Sequence, residues 1–176
     1  MKILHVGKFW PGKGGMERMI LDLVNGFSAK GIRCDLLCAS AEKGPGTEYL
    51  NENAKIICTP TLFTMAATKI TPSMIWTLRR ICNEYDILHV HHPDPMATLA
   101  LRMSGYKGKV IVHWHSDILK QKNLLKLYRP LQDWMLNRAD LIIGTTPVYI
   151  KESPHLVNVS DKMACLPIGV RRVNPD

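Results

Sequence analysis

Residues 2–30 read K-I-L-H-V-G-K-F-W-P-G-K-G-G-M-E-R-M-I-L-D-L-V-N-G-F-S-A-K. Lys2 to Gly7 is a short β-type run, and the loop that follows carries Gly12, Gly14 and Gly15. From Met16 to about Lys30 the apolar residues Met16, Met19, Ile20, Leu23, Val24 and Phe27 recur at helical spacing. Gly31 then supplies a stop signal. Strand, glycine loop and amphipathic helix in this order open a doubly wound α/β sheet, whose ligands bind at the carboxyl ends of the strands. Adjacent glycines let a backbone approach a ligand closely. The helix start offers unpaired N–H groups and a positive dipole end to an anion. The glycine spacing is not the G-x-G-x-x-G dinucleotide fingerprint. On the residues alone, a phosphate site and a plain tight turn are equal readings of this loop.

The rest of the chain alternates in the same way. Strands are expected at Asp35–Ala39, Lys55–Cys58, Asp86–His91, Lys109–His113, Ala139–Gly144 and Lys162–Pro167, the first two separated by a turn at Gly44-Pro45-Gly46. Helices are expected from Pro72 to Glu84, Pro95 to Met103 and Asn123 to Arg138, with an interruption near Pro130, and a short one opens at Pro147. Thr61 to Thr68 fits a strand or a loop. The alternation predicts a Rossmann-like, doubly wound, mainly parallel α/β sheet. The length of 176 residues suits one domain, taken here as 1–170, with 171–176 as a linker or frayed tail.

Composition narrows the function classes. Apolar residues make up 46% and charged residues 22%, a globular balance. No run approaches the ~18 apolar residues that cross a bilayer, and the first apolar stretch is too short for a signal peptide. A cytoplasmic location is the expectation. The five cysteines have no C-x-x-C spacing and read as reduced thiols, with Cys34 and Cys38 on one face of a strand. The net charge of +8 favours an anionic partner. The basic residues are dispersed, and no nucleic-acid-binding pattern occurs, so nucleic acid is not the expected partner.

Two histidine-bearing strands stand out. In D-I-L-H-V-H-H-P (86–93), strand alternation puts His89 and His91 on one face. One strand supplies no evident third or fourth metal ligand, since Asp94 lies beyond a proline. Hydrogen-bonded imidazoles under a cleft floor are therefore expected rather than zinc. In V-H-W-H-S-D (112–117), His113 and His115 share a face, and His115 points into the crevice that the Gly14-Gly15 loop also borders. It can hydrogen-bond a substrate hydroxyl or move a proton. A serine-hydrolase triad is disfavoured, because no G-x-S-x-G elbow occurs.

Together G-G-M-E, D-I-L-H-V-H-H-P, H-S-D-I-L-K-Q-K (115–122), L-Y-R-P-L-Q-D-W-M-L-N-R-A-D-L-I-I-G-T-T-P (127–147) and L-P-I-G-V (166–170) resemble glycosyltransferase family 4 over nearly the whole chain. The resemblance implies one half of a GT-B architecture, in which two Rossmann-like domains face a cleft. It implies retaining transfer with no metal or other cofactor. Gly14 and Gly15 match the loop near the donor diphosphate and the acceptor, and His115 matches the histidine near the reacting centre of the donor sugar. Asp117, Lys120 and Lys122 match a loop flanking the acceptor. Glu17 also matches, although a carboxylate there favours the first helical turn in any case. His91 is counted with the binding residues.

The implied function is the acceptor-side domain of an enzyme that moves a sugar from a nucleotide-sugar to a saccharide or polyprenyl-linked acceptor, in cell-envelope polysaccharide or lipopolysaccharide assembly. The family's donor-half basic pair and glutamates have no counterpart here, Arg171 replaces the usual aspartate, and family enzymes are roughly twice this length. A C-terminal donor domain is thus an expected partner, and this chain alone is expected to be inactive. The alternative is a non-catalytic binding module or one chain of a split enzyme. In Ile118 to Arg138, leucines and aromatics lie beside Lys120, Lys122, Lys126 and Arg129. Such a stretch can rest on an anionic bilayer as a peripheral contact or pack its apolar side on the sheet.

Overall fold

The structure, a computed structural model, describes residues 1–12, 14–41, 44–118, 122–167 and 169, with the backbone alone for 122–124. In chain order the elements are β1 (Lys2–Trp10), α1 (Gly15–Ser28), β2 (Arg33–Ser40), β3 (Gly46–Asn51), β4 (Ala54–Thr59), β5 (Phe63–Met65) and β6 (Thr68–Ile70). They continue with α2 (Ser73–Ile81), β7 (Ile87–His92), α3 (Pro95–Ser104), β8 (Lys109–Trp114), α4 (Lys122–Arg138), β9 (Leu141–Gly144), α5 (Pro147–Glu152) and β10 (Met163–Cys165). Eight strands form one sheet in the order β10-β9-β8-β7-β1-β2-β4-β3. All its pairings are parallel except β3 on β4. The chain runs outward from β1 to β2 and later from β1's other side to β7. The switch point of this Rossmann-like sheet therefore lies between β1 and β7, where ligand crevices form.

Period-two alternation assigns each strand residue to one of two layers. Ile3, Cys34, Leu36, Cys38 and Ile56 lie under Ile20 and Val24 of α1. Leu4, Val6, Leu88, Val90, Val110 and Val112 lie on the opposite face, covered by Met74 and Leu78 of α2, Ala97 and Leu101 of α3, and Met135 and Leu136 of α4. Cys34 and Cys38 do share a face, and all five thiols are free.

Several boundaries differ from the sequence reading. The first strand does not stop at Gly7: pairing with β2 slips there and resumes at Phe9 with Ala39 and Trp10 with Ser40. Gly7 and Lys8 absorb the slip with φ of 130° and 62°. The Gly44-Pro45-Gly46 turn leads into β3, an antiparallel edge strand absent from the sequence reading. The ambiguous stretch near Thr61 becomes the β5–β6 hairpin, closed by Ala66 and Ala67 at φ of 47° and 64°. The helix α4 runs unbroken through Pro130, an exposed position. The backbone carbonyl that loses its partner to proline belongs to exposed Lys126, where water can serve it. The tail at 171–176 lies outside the described residues.

Candidate active site at the switch point

Asp94 organises the carboxyl ends of β1 and β7. It is the N-cap of α3, accepting from the N–H groups of Met96 (3.0 Å) and Ala97 (3.1 Å), and Pro95 occupies the favoured first helical position. Its other oxygen accepts from the backbone N–H of Lys8 at 2.5 Å. Burial pushes the Asp94 carboxyl above its ordinary value, against the pull of these donors. Neither Lys8 nor Asp94 is among the ligand-site residues expected from the sequence. The signal that marks Asp94 is the helix-start pattern D-P, placed just past a core strand.

On the α1 side of the sheet, adjacent strands bring histidines together. His5 lies opposite His89, and His91 opposite His113. His115 continues the ladder, its backbone N–H donating to the His92 carbonyl at 3.1 Å. The five rings of His5, His89, His91, His113 and His115 stack with neighbouring centroids 4.2–5.6 Å apart. Two direct bonds link three of them: His5 Nδ1 to His91 Nε2 at 2.8 Å, and His91 Nδ1 to His115 Nε2 at 2.9 Å. His92 faces the other layer, stacked on Trp114 with centroids 3.7 Å apart. Burial lowers every one of these imidazoles below the usual range, His5 and His115 to about 3 and His113 to about 4. Lys8 adds a repulsive contribution at His92 and His115.

The expectation that no third ligand stands near His89 and His91 is corrected here. Strands β1 and β8 supply them, and the sets His5/His89/His91 and His91/His113/His115 each bring one nitrogen per residue within 4.8 Å of the others. A strand read singly hides what its neighbours contribute. The short bonds among His5, His91 and His115 already satisfy four of these nitrogens, in keeping with hydrogen-bonded imidazoles under the cleft.

At the loop before α1, Gly14 is the N-cap and the helix start has no side-chain cap. A glycine has no side chain with which to cap, so the amides of the first turn need another partner. The three glycines have different reasons. A Cβ on Gly12 would stand 2.4 Å from Glu17 Cγ and 2.9 Å from the Phe9 carbonyl. One on Gly14 would meet Glu17 Oε2 at 2.2 Å, whereas one on Gly15 meets nothing within 4 Å. Glu17 thus folds back over Gly12 and Gly14, and Gly15 alone of the three faces open space.

The Asp117 carboxylate is committed internally, accepting from Trp114 Nε1 at 2.8 Å and Ser153 Oγ at 2.9 Å. Its backbone N–H donates to the Tyr149 hydroxyl at 2.5 Å. Lys120 lies outside the described residues, and so does the side chain of Lys122.

Beside this edge runs an apolar groove of about 370 Å³ between the β5–β6 hairpin, α3 and α4. Met65, Ala67, Leu99, Leu125 and Leu131 line it, and Lys8 and Pro93 stand at the end nearest the switch point. Lys8 and Pro93 also border a small niche with Lys69 and Asp94. Among the described residues no helix is long and apolar enough to cross a membrane.

A mostly parallel sheet of this kind has counterparts among sugar-transferring proteins. The sequence pattern of Glycosyltransferase Family 4 matches residues 13–172, and the chain belongs to that family. It is 33% identical over 174 residues to the O-antigen chain mannosyltransferase C of Escherichia coli, covering 98% of this chain and 47% of that protein. It is 28% identical over 176 residues to the D-rhamnosyltransferase WbpZ of Pseudomonas aeruginosa, covering 97% and 45%. The chain therefore spans about half the length of the curated relatives it matches. Among solved structures, sucrose-phosphate synthase from Thermosynechococcus elongatus superposes with a TM-score of 0.67 at 14% identity, over 97% of this chain and 49% of that one. Anabaena HepE in complex with UDP and glucose superposes at 0.62 with 11% identity, over 97% and 45%. These likenesses show the fold, that of one Rossmann-like domain of a GT-B glycosyltransferase.

Proposed function

We propose that this chain is the acceptor-side domain of a retaining glycosyltransferase that transfers a hexose or deoxyhexose from a nucleotide-sugar to a lipid-linked saccharide at the cytoplasmic face of a membrane. The observation that carries the reading is the meeting, at one sheet edge, of the uncapped start of α1 and the partly exposed imidazole of His115. The amides behind Gly14-Gly15 suit a diphosphate whose negative charge grows as the glycosidic bond breaks. His115 suits a role in orienting the sugar rather than attacking it, because burial lowers its proton affinity and leaves a neutral ring that is a weak base and nucleophile but can still hydrogen-bond. The names of the two relatives, a mannosyltransferase of the O-antigen chain and a D-rhamnosyltransferase, favour the sugar class and envelope polysaccharide as the product. Donor-sugar selection belongs to a second domain of the family's kind, which this reading takes as partner.

The groove favours a lipid carrier on the acceptor. Its lining is apolar, and Lys8 and Lys69 stand where a prenyl diphosphate would place its charge. Leu127 of α4 is 81% exposed and Phe63 of the hairpin 55%, both on elements that wall the groove, beside exposed Lys126 and Arg129. Such a rim suits peripheral contact with an anionic bilayer. Binding of the chain to vesicles containing acidic phospholipid should weaken at least several-fold in Leu127→Ser/Lys126→Glu, and undiminished binding removes the membrane contact.

The decisive experiment is sugar transfer by the chain joined to a family donor domain. His115→Ala should lower kcat by on the order of 10²-fold with folding intact, and turnover should survive a chelator. Near-normal turnover in His115→Ala removes its assigned role. Binding of a saccharide acceptor with no transfer by any pairing would favour a binding module instead.

A further inference from the structure

The hydrogen-bonded row His5–His91–His115 has a direction. A neutral imidazole has one N–H donor and one bare nitrogen acceptor, on opposite sides of the ring. With both inter-ring bonds intact, only two arrangements of protons are possible. In the outward arrangement, His5 Nδ1–H donates to His91 Nε2, and His91 Nδ1–H donates to His115 Nε2. The remaining proton then sits on His115 Nδ1, the nitrogen on the far side of the ring from His91. In the inward arrangement every proton moves to the other nitrogen, and His115 turns a bare lone pair outward. Any mixture sets two lone pairs or two N–H groups face to face and loses a bond.

The inner end of the row decides between them. His5 Nε2 is buried and has no hydrogen-bond partner among the described residues. His113, with both ring nitrogens buried and unpartnered among the described residues, already places one N–H without an acceptor in this stack, and the inward arrangement would add a second, at a desolvation cost of about 1–3 kcal/mol. The outward arrangement leaves only a bare nitrogen at that spot. The burial that keeps these rings neutral also prevents a second proton from blurring the choice.

We propose that His91, backed by His5, is a positioning residue that locks His115 as the Nδ1–H tautomer, so that His115 presents a hydrogen-bond donor, and not an acceptor, to an oxygen of the bound sugar. The last clause rests on the site assigned above; the tautomer itself does not. Without its internal partner, His115 is a partly exposed imidazole free to sample both tautomers and to turn about its ring bond. His91 thus acts from beneath the crevice surface by fixing one proton on its neighbour.

The test is two-bond ¹H–¹⁵N correlation spectroscopy of the histidine rings in the full chain at pH 7.5. The expected spectrum shows His5, His91 and His115 as single Nδ1–H tautomers. An Nε2–H signature on His115 overturns the proposal. In His91→Phe, which keeps a ring in the stack but removes both nitrogens, the two His115 nitrogens should shift toward an averaged pair. In His91→Asn, whose amide can still donate from the position of the lost Nδ1, the single Nδ1–H pattern should return. A His115 signature unchanged in His91→Phe shows that His91 does not set it and ends the positioning role. Should the tautomers appear as expected while His115→Ala leaves transfer intact, the site assignment fails and the relay stands. Should His115→Ala abolish transfer while the parent shows His115 as Nε2–H, the site assignment stands and the relay fails.

Discussion

The backbone N–H of Lys8 donates to the buried carboxylate of Asp94 at 2.5 Å, joining the ends of β1 and β7 where the order of the sheet reverses. The same carboxylate starts α3. One side chain thus holds the bulge after Gly7 and a helix terminus at the mouth of the crevice. Asp94→Ala should lower unfolding free energy by about 2–4 kcal/mol, from the lost cap and the unpaired Lys8 amide. Asp94→Asn, with one acceptor oxygen left, should lose less. Urea denaturation measures both, and an alanine variant as stable as the parent would mean that water replaces all three bonds.

Gly12 and Gly15 should separate in mutagenesis. Gly12→Ala drives a methyl into Glu17 and the Phe9 carbonyl, so it should cost about 1–3 kcal/mol of stability. Gly15→Ala enters open space at the start of a helix and should leave stability level or raise it by a few tenths of a kcal/mol. Its effect should instead fall on nucleotide-sugar affinity, read by titration calorimetry with the donor domain joined. Unchanged affinity in Gly15→Val would reduce the loop to a turn.

The buried histidines set an acid limit on the fold. An unfolded histidine takes its proton near pH 6.5. The folded values are depressed by burial, to about 3 for His5 and about 4 for His113, and His89, His91 and His92 also lie well below 6.5. Below pH 6.5 the unfolded chain therefore binds more protons than the folded one. The stability these rings allow is complete above that pH and falls as pH drops toward 4. Each fully buried ring contributes a slope of roughly 1.4 kcal/mol per pH unit in this window. The urea midpoint should be level between about pH 7 and 8 and drop steeply between about 6.5 and 5. A flat profile down to about pH 5 would mean that the rings are hydrated in the fold.

Asp117 separates a structural from a direct role. Its carboxylate holds Trp114 and Ser153, just after the strand that ends beside His115. Asp117→Ala should cost about 1–3 kcal/mol of stability by leaving the buried indole N–H unpaired. Loss of transfer with full stability would instead place this carboxylate on the substrate.

The sequence shows the switch point well and its surroundings less well. Strand–loop–helix order, strand alternation and the D-P helix start are local signals, and they locate β1, α1, β7, α3 and the shared face of His89 and His91. The edge strand β3 and the meeting of five imidazoles depend on which strands pair, information spread over residues 5 to 115. Gly12 looks like its neighbours in sequence because side-chain contact from Glu17 leaves no local trace. The β5–β6 hairpin is hidden for a chemical reason. A two-residue turn with both residues at positive φ ordinarily advertises itself through Asn-Gly or Asp-Gly, and here it is Ala66-Ala67.

That pair of alanines has a further consequence. Both line the groove, and each holds a left-handed backbone conformation that alanine adopts at a cost of roughly 1 kcal/mol. Replacement by Asn-Gly would relieve the turn and put an amide in the greasy wall. The hairpin tip is thus a place of local stability–activity trade-off: a firmer turn comes with a wetter slot, and selection for thermostability alone would erode the apolar surface to which the proposed function assigns a lipid-linked substrate.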